Sequence, residues 1–417
     1  MIAASHQRGT YANDVQLACF GLMNTIGTLQ AYITTHQLAA HSESTNSWIF
    51  SIYIFLSFFC GLQVGPFFDA KGPRLLVILG SVFLVGGVFA LAESTQYWHF
   101  ILSFSICGGL GTALIFTPAI SAIAHYFSEK RGTAIGLAAT GGSIGGIILP
   151  LMLQRLFEDK GWQWAIRAMG FMFIVLLIVA NFLIKSRLPP KVGGSIWPDI
   201  FIFRQLDFAI TTAGVLCMEW GLFVPLTFVT SWALSLGIGD EPGSSQPSAF
   251  GFQLMAILNA ASFFGRWGPG FVADKLGRFN TIIVMMAFCA ISCIAFWLPP
   301  TILASSASFT ASSSPKALAI AFALLFGFSS GSNISLTPVC VGQLCDTHEY
   351  GRYYASCYTV VSIGTLTGLP IVGAILQLQN GVYTGAIAFT VACYTVGTTC
   401  FAIVRVRRVG WGLRGIC

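Results

Sequence analysis

Two octets decide the fold: Gly65-Pro66-Phe67-Phe68-Asp69-Ala70-Lys71-Gly72 and Gly270-Phe271-Val272-Ala273-Asp274-Lys275-Leu276-Gly277. Both read Gly-x-x-x-Asp-x-x-Gly, both join two long apolar runs, and they stand 205 residues apart. Two more markers follow in the same order. Thr117-Pro118 is matched by Thr337-Pro338 and Pro150 by Pro370, each at an offset of 220, so a spacing of 32 residues between prolines is kept. The extra 15 residues fall where the second half carries a Ser-rich stretch, PTILASSASFTASSSP at 300–315. Three ordered matches indicate that one half of the chain is a duplicate of the other.

Composition says where such a chain resides. Of 417 residues, 55% are hydrophobic and only 9% charged. A water-facing protein carries about 25% charged residues, so most of this surface must face something apolar. Apolar runs near the ~20 residues needed to cross a bilayer recur at 15–36, 47–68, 74–93, 98–124, 131–156 and 163–186. A second set lies at 207–236, 249–273, 279–299, 316–344, 352–377 and 383–404. Helices satisfy their backbone within each segment, and no alternating ten-residue segments suggest a barrel. The expected fold is an all-α membrane protein of twelve transmembrane helices in two six-helix halves. Residues 1–186 form the first half, 187–206 a basic cytoplasmic linker, and 207–417 the second half. Residues 300–315 read as a solvated outer loop. The 45 glycines fit close helix contacts in a membrane.

Basic residues set the orientation. With the N-terminus inside, 16 of the 21 Lys and Arg fall on the cytoplasmic side. Arg155, Lys160, Arg167 and Lys316 fall outside, and Arg266 lies within a span. Both termini are then cytoplasmic, in an integral multi-pass protein expected in the plasma membrane. The net charge of +6 reflects this topology, and no nucleic-acid partner is expected. Met1 to Asn13 is polar and shows no leader pattern, so the first span is expected to act as its own insertion signal. The 12 cysteines show no CxxC pair or zinc spacing and read as small buried thiols. Trp48, Tyr97, Trp98, Trp162 and Trp164, at span ends, read as interfacial anchors.

GPFFDAKGPR at 65–74 resembles the signature loop of the major facilitator superfamily. GRWGPGFVADKLGRFN (265–280), TPAISAIAHYFSEKRGTAIGLAATGGSIGGIILP (117–150) and SLTPVCVGQLCDTHEYGRYYASCYTVVSIGTLTGLP (335–370) resemble the monocarboxylate porter family, in its fungal branch. The resemblance runs from about Phe20 to Val404. It implies a substrate site between the halves near mid-membrane, reached alternately from each side. Proton-coupled members carry a span-one Lys and a span-eight Asp–Arg pair. Here those positions hold Thr34, Ser262 and Arg266, so only the Arg is kept, which argues against simple proton–lactate symport. The family also has a longer cytoplasmic tail and more apolar residues before the first span.

Six residues form the expected conformational gate: Asp69, Lys71 and Arg74, with their repeat mates Asp274, Lys275 and Arg278. Each Asp is expected to accept hydrogen bonds at a neighbouring helix N-terminus, where anions are stabilised, and to pair with a nearby Arg. The plainer reading is a solvated loop whose basic residues set topology. Arg266 suits bidentate recognition of a carboxylate, or is a structural Arg paired across the bundle. Glu219, the carboxylate placed well inside a span, is a proton-carrier candidate or a structural group. Asn24, Gln30, Phe116, Trp220, Phe223 and Asn333 are further substrate-binding candidates, each also explained by plain helix packing.

No phosphate-binding GxxxxGK[ST] loop or catalytic cluster is present, so neither an ATP-driven pump nor an enzyme is expected. The expected function is secondary active transport of a small organic, acidic metabolite by alternating access, as efflux of a secondary metabolite. The alternative is proton-coupled uptake of a monocarboxylate or vitamin-like compound. A non-transporting membrane sensor is the reading from another class. No cofactor is expected beyond coupling protons, and the partners are the small-molecule substrate and the lipid bilayer, with the protein monomeric.

Overall fold

A chain surrounded by lipid must pair its backbone groups within each segment, and the computed structural model is built accordingly. It describes residues 14–41, 43–127, 130–184, 196–237, 250–304 and 314–410, and among these there is helix and no strand. Helix α1 spans 14–35 and is interrupted at Thr25. Helix α2 runs as Glu43–Phe59 and Gly61–Lys71 about a break at Cys60. Next come α3 (Arg74–Ala92) and α4 (Tyr97–Tyr126). A single 53-residue helix, Arg131–Leu183, holds α5 and α6, which part at Gly161. The second half comprises α7 (Leu206–Ser235), α8 (Phe250–Leu276), α9 (Arg278–Ile302), α10 (Ser314–Val341), α11 (Tyr350–Leu378) and α12 (Thr384–Val409).

Nine helices among the described residues are long and apolar enough to cross a membrane. One of these is Arg131–Leu183, which supplies two spans. Its Gly161 sits at φ 76° and ψ 177°, a left-handed conformation that glycine adopts without penalty. The interrupted α1 and α8, whose apolar run is diluted by Gln253, Asn259 and Arg266, complete the twelve.

The three fixed residues of each octet have separate jobs. The first glycine lets two backbones touch. A Cβ on Gly270 would stand 2.5 Å from the carbonyl oxygen of Gly132 on α5, and one on Gly65 would collide with the carbonyl of Gly351 on α11. The aspartate lies in the last turn of its helix, α2 or α8, rather than in the loop where the sequence placed it. The last glycine ends the helix: Gly72 at φ 84° and Gly277 at φ 99° both occupy conformations that a side chain resists. Because α2 belongs to one half and α11 to the other, and α8 and α5 likewise, both contacts cross between halves.

Several loop expectations shift. Residues 300–304 continue α9 and 314–315 begin α10, so the outer loop is shorter than 300–315; 305–313 lie outside the described residues. Of the linker, 187–195 lie outside them, and Ile200–Arg204 forms a short 3-10 turn capped by the Asp199 carboxylate. The terminal tails, 1–13 and 411–417, also lie outside. Trp48, Trp98 and Trp164 are exposed, as interfacial anchors should be, but Trp162 is buried and donates to the Leu91 carbonyl at 3.2 Å. It packs α6 against α3 rather than facing the interface.

Candidate functional site

A cavity of about 1760 Å³ lies between the two halves. Its upper wall includes Thr35, Trp48, Glu158, Leu234 and Tyr383, which belong to helix ends remote from the octets. It narrows to Phe20, Phe58, Glu219, Ile334 and Tyr358. The cavity is therefore open at the end opposite the two aspartates and closed towards them.

Aromatic packing closes the floor. Tyr350, Tyr354 and Tyr358 recur every fourth residue on α11, which puts them on one face. The rings of Tyr354 and Tyr358 pack at a tilt with centroids 4.7 Å apart, and Phe58 meets Tyr358 at 5.2 Å. Phe116 touches Phe20 at 5.0 Å and Tyr354 at 6.3 Å. From Tyr358 down to Arg352 is six residues, or ~9 Å of helix at 1.5 Å per residue. That thin plug separates the cavity from the capped end.

Beneath the plug, Asp69 accepts from the backbone N–H groups of Arg352 at 2.8 Å and Gly351 at 3.2 Å. Asp274 accepts from Gly132 at 2.9 Å, from Thr133 N–H at 2.8 Å and from the Thr133 hydroxyl at 2.8 Å. Both are carboxylates seated on helix N-termini, where free N–H groups and the helix dipole favour negative charge. The hydrogen bonds come from backbone and hydroxyl groups, while the charge of Arg352 acts on Asp69 and those of Arg278 and Asp274 act on each other. Lys71, Arg74 and Lys275 are exposed and Arg278 is half-buried, while the capping hydrogen bonds converge on the two aspartates.

Arg131 was read from sequence only as a topology marker, yet it is buried at this same end. Its guanidinium donates to the carbonyls of Gly342 (2.8 Å), Phe127 (3.1 Å) and Ala124 (3.2 Å), and to the Thr347 hydroxyl (3.3 Å). It also lies over the Tyr350 ring. One cation thus caps the C-terminal carbonyls of α4 and the turn after α10, in opposite halves. The sequence signal was available, since Arg131 directly precedes the Gly132–Thr133 pair that Asp274 caps, but its carbonyl partners have no sequence pattern.

The candidate substrate residues divide into two groups. Asn24, Gln30, Glu219 and Phe223 line the cavity. Asn24 donates to the Gly142 carbonyl at 3.1 Å and Gln30 to the Ser47 hydroxyl at 3.2 Å. Arg266, Phe116, Trp220 and Asn333 are engaged elsewhere. Arg266 is 2% exposed and donates to the Ala139 carbonyl on α5 at 2.6 Å, with Phe20 stacked over it at 5.5 Å. Trp220 donates to Gly364 on α11 at 2.7 Å, and Asn333 reaches the Tyr394 hydroxyl at 3.3 Å. Thr34, at the span-one position, lines the cavity and donates to the Gln30 carbonyl at 2.8 Å.

Known proteins of this architecture are readily found. Residues 16–369 match the family model described as Major Facilitator Superfamily. The riboflavin transporter MCH5 of Saccharomyces cerevisiae is 36% identical, across 95% of this chain and 77% of its own length. The fujikurins efflux protein of Gibberella fujikuroi is 34% identical, across 87% and 74%. Among solved structures, the E. coli fucose:proton symporter FucP superposes with a TM-score of 0.68 at 15% identity, over 97% of this chain and 98% of that one. With matching halves, a cavity between them and a family model covering most of its length, the chain is a membrane transporter that belongs to the Major Facilitator Superfamily.

Proposed function

We propose that this transporter exports a small organic metabolite by alternating access, and that the conformation seen here faces outward. The observation that carries the alternating-access reading is the asymmetry of the cavity, open at one end and sealed at the other by Asp69 and Asp274 on helix N-termini of the opposite half. A contact made of a few hydrogen bonds between halves can be broken and remade, whereas a continuous core could not. The octet end carries most of the basic residues, which supports its assignment to the cytoplasm with both termini inside; export out of the cell then requires the plasma membrane. The motif blocks at 117–150 and 335–370 support membership of the fungal branch of the monocarboxylate porter family. Efflux is supported by the fujikurins efflux protein among the relatives. Uptake of a vitamin-like compound is the second reading, supported by the relative named as a riboflavin transporter. In either direction, proton coupling would run through Glu219, the carboxyl at the deep end of the cavity. The substrate and the bilayer suffice as partners for a monomer. The test compares metabolites inside and outside cells with and without the gene. Export predicts accumulation of a compound inside the deletion strain; loss of entry of a supplied compound would reverse the direction, and no difference for any compound would remove the transport reading.

A further inference from the structure

A cavity's lining constrains the charge of its occupant. Among the described residues no Lys or Arg lines this one, while two carboxylates do: Glu158 near the mouth and Glu219 at the deep end. Glu219 is only 3% exposed, and no hydrogen bond or ion pair from a described residue reaches it. With no protein donor, its carboxyl faces the cavity, where water or the donor of an occupant completes it. Arg266, the cation that would have welcomed an acid, is spent on the Ala139 carbonyl and covered by Phe20, whose ring forms the cavity wall in front of it. The surrounding floor is aromatic, with Phe20, Phe58, Phe223 and Tyr358.

We infer that the cavity takes an uncharged aromatic compound bearing N–H or O–H donors, which Glu219 accepts at the deep end while the aromatic rings stack on its faces. This rests on the transport reading above and names the substrate class for the same cavity, replacing the acidic substrate expected from sequence. An anion entering this aromatic floor gives up its hydration with no lining Lys or Arg to replace it, a cost that a neutral group does not carry. The volume, about 1760 Å³, exceeds the ~300–1,000 Å³ of a typical ligand pocket, so a multi-ring compound fits.

The test uses the full chain, purified in lipid nanodiscs, and matched pairs that differ in charge: riboflavin with riboflavin 5′-phosphate, nicotinamide with nicotinate, and benzamide with benzoate. Binding is read by ligand-dependent thermal stabilisation. The neutral member should bind at least about tenfold more tightly in each pair that binds, and Glu219→Gln should weaken it by about tenfold. An anionic member that binds as tightly as its neutral partner, or a panel in which no neutral member binds, overturns the assignment. So does a Glu219→Gln variant of unchanged melting temperature and unchanged affinity. Flux into proteoliposomes is scored separately: a neutral compound that binds and never crosses leaves the class in place and removes transport.

Discussion

Asp69 on α2 and Arg352 on α11 stand 283 residues apart in sequence, and the carboxylate of one accepts the backbone N–H of the other at 2.8 Å. The contact is repeated by Asp274 and Gly132 at 2.9 Å. Each half therefore caps a helix of the other, by the same chemistry, at the same end. Exchanging charge for an amide should loosen both caps without altering their shape. A carboxylate at a helix N-terminus contributes ~1 kcal/mol, which is a roughly fivefold change in a two-state ratio. Asp69→Asn should accelerate amide exchange at 350–356 and Asp274→Asn at 131–136, each with little effect on the other cap. Hydrogen–deuterium exchange resolves the two segments, and protection unchanged in both variants would show that the caps carry no part of the closure.

Close backbone contact should matter more than the charge. At Gly270 an added Cβ would meet the Gly132 carbonyl at 2.5 Å, with backbone on both sides and no flexible side chain to yield. Gly270→Ala should therefore prevent the halves from meeting at this end and reduce transport more severely than Asp274→Asn, at equal membrane abundance. Transport rates for the two variants in the same vesicles check the ranking.

Arg131 should be hard to replace. Its four donor contacts reach three backbone carbonyls and one hydroxyl across both halves, and a hydrogen bond to a charged group contributes ~1.5–3 kcal/mol net. Arg131→Lys keeps the charge but loses the planar fork, so it should still lower the melting temperature in nanodiscs, and Arg131→Ala should lower it further. Equal melting temperatures for wild type and Arg131→Lys would show that charge alone suffices.

If Glu219 exchanges a proton during the cycle, the pH dependence of flux must pass through it. Glu219→Gln should flatten the flux profile between about pH 5 and 8, the window over which a cell membrane sustains a proton gradient, while the protein remains folded. A profile with unchanged shape removes the proton-carrier role.

The parts of this molecule that were legible in sequence are those where a single residue has a single reason. Gly65, Asp69 and Gly72 satisfy a backbone approach, a helix cap and a left-handed stop, so their spacing is fixed and repeats at Gly270, Asp274 and Gly277. Apolar runs marked the spans because lipid demands them. The helix breaks at Thr25 and Cys60 were not marked, since neither residue is a breaker and both lie inside apolar sequence. The site was read less well. A buried cation is costly and needs a purpose, so Arg266 reads from sequence either as a substrate cation or as a structural Arg paired across the bundle; that it meets the Ala139 carbonyl on another helix is something no local pattern reveals. Tyr354 and Tyr358 went unnoticed among 36 Phe and 11 Tyr, because only the fold shows that they floor a cavity.

The central claim is that the two ends open in opposition. Spin labels at the exposed Lys71 and Lys275 report the octet end, one in each half, and labels at Thr95 and Leu378 report the cavity end. Introduced as unnatural amino acids to avoid the native cysteines, these pairs can be followed by electron–electron resonance in wild type and in the Asp69→Asn, Asp274→Asn double variant. The account predicts that the Lys71–Lys275 distance lengthens in the double variant while the Thr95–Leu378 distance shortens. Distances that stay fixed, or that change in the same direction at both ends, would contradict it.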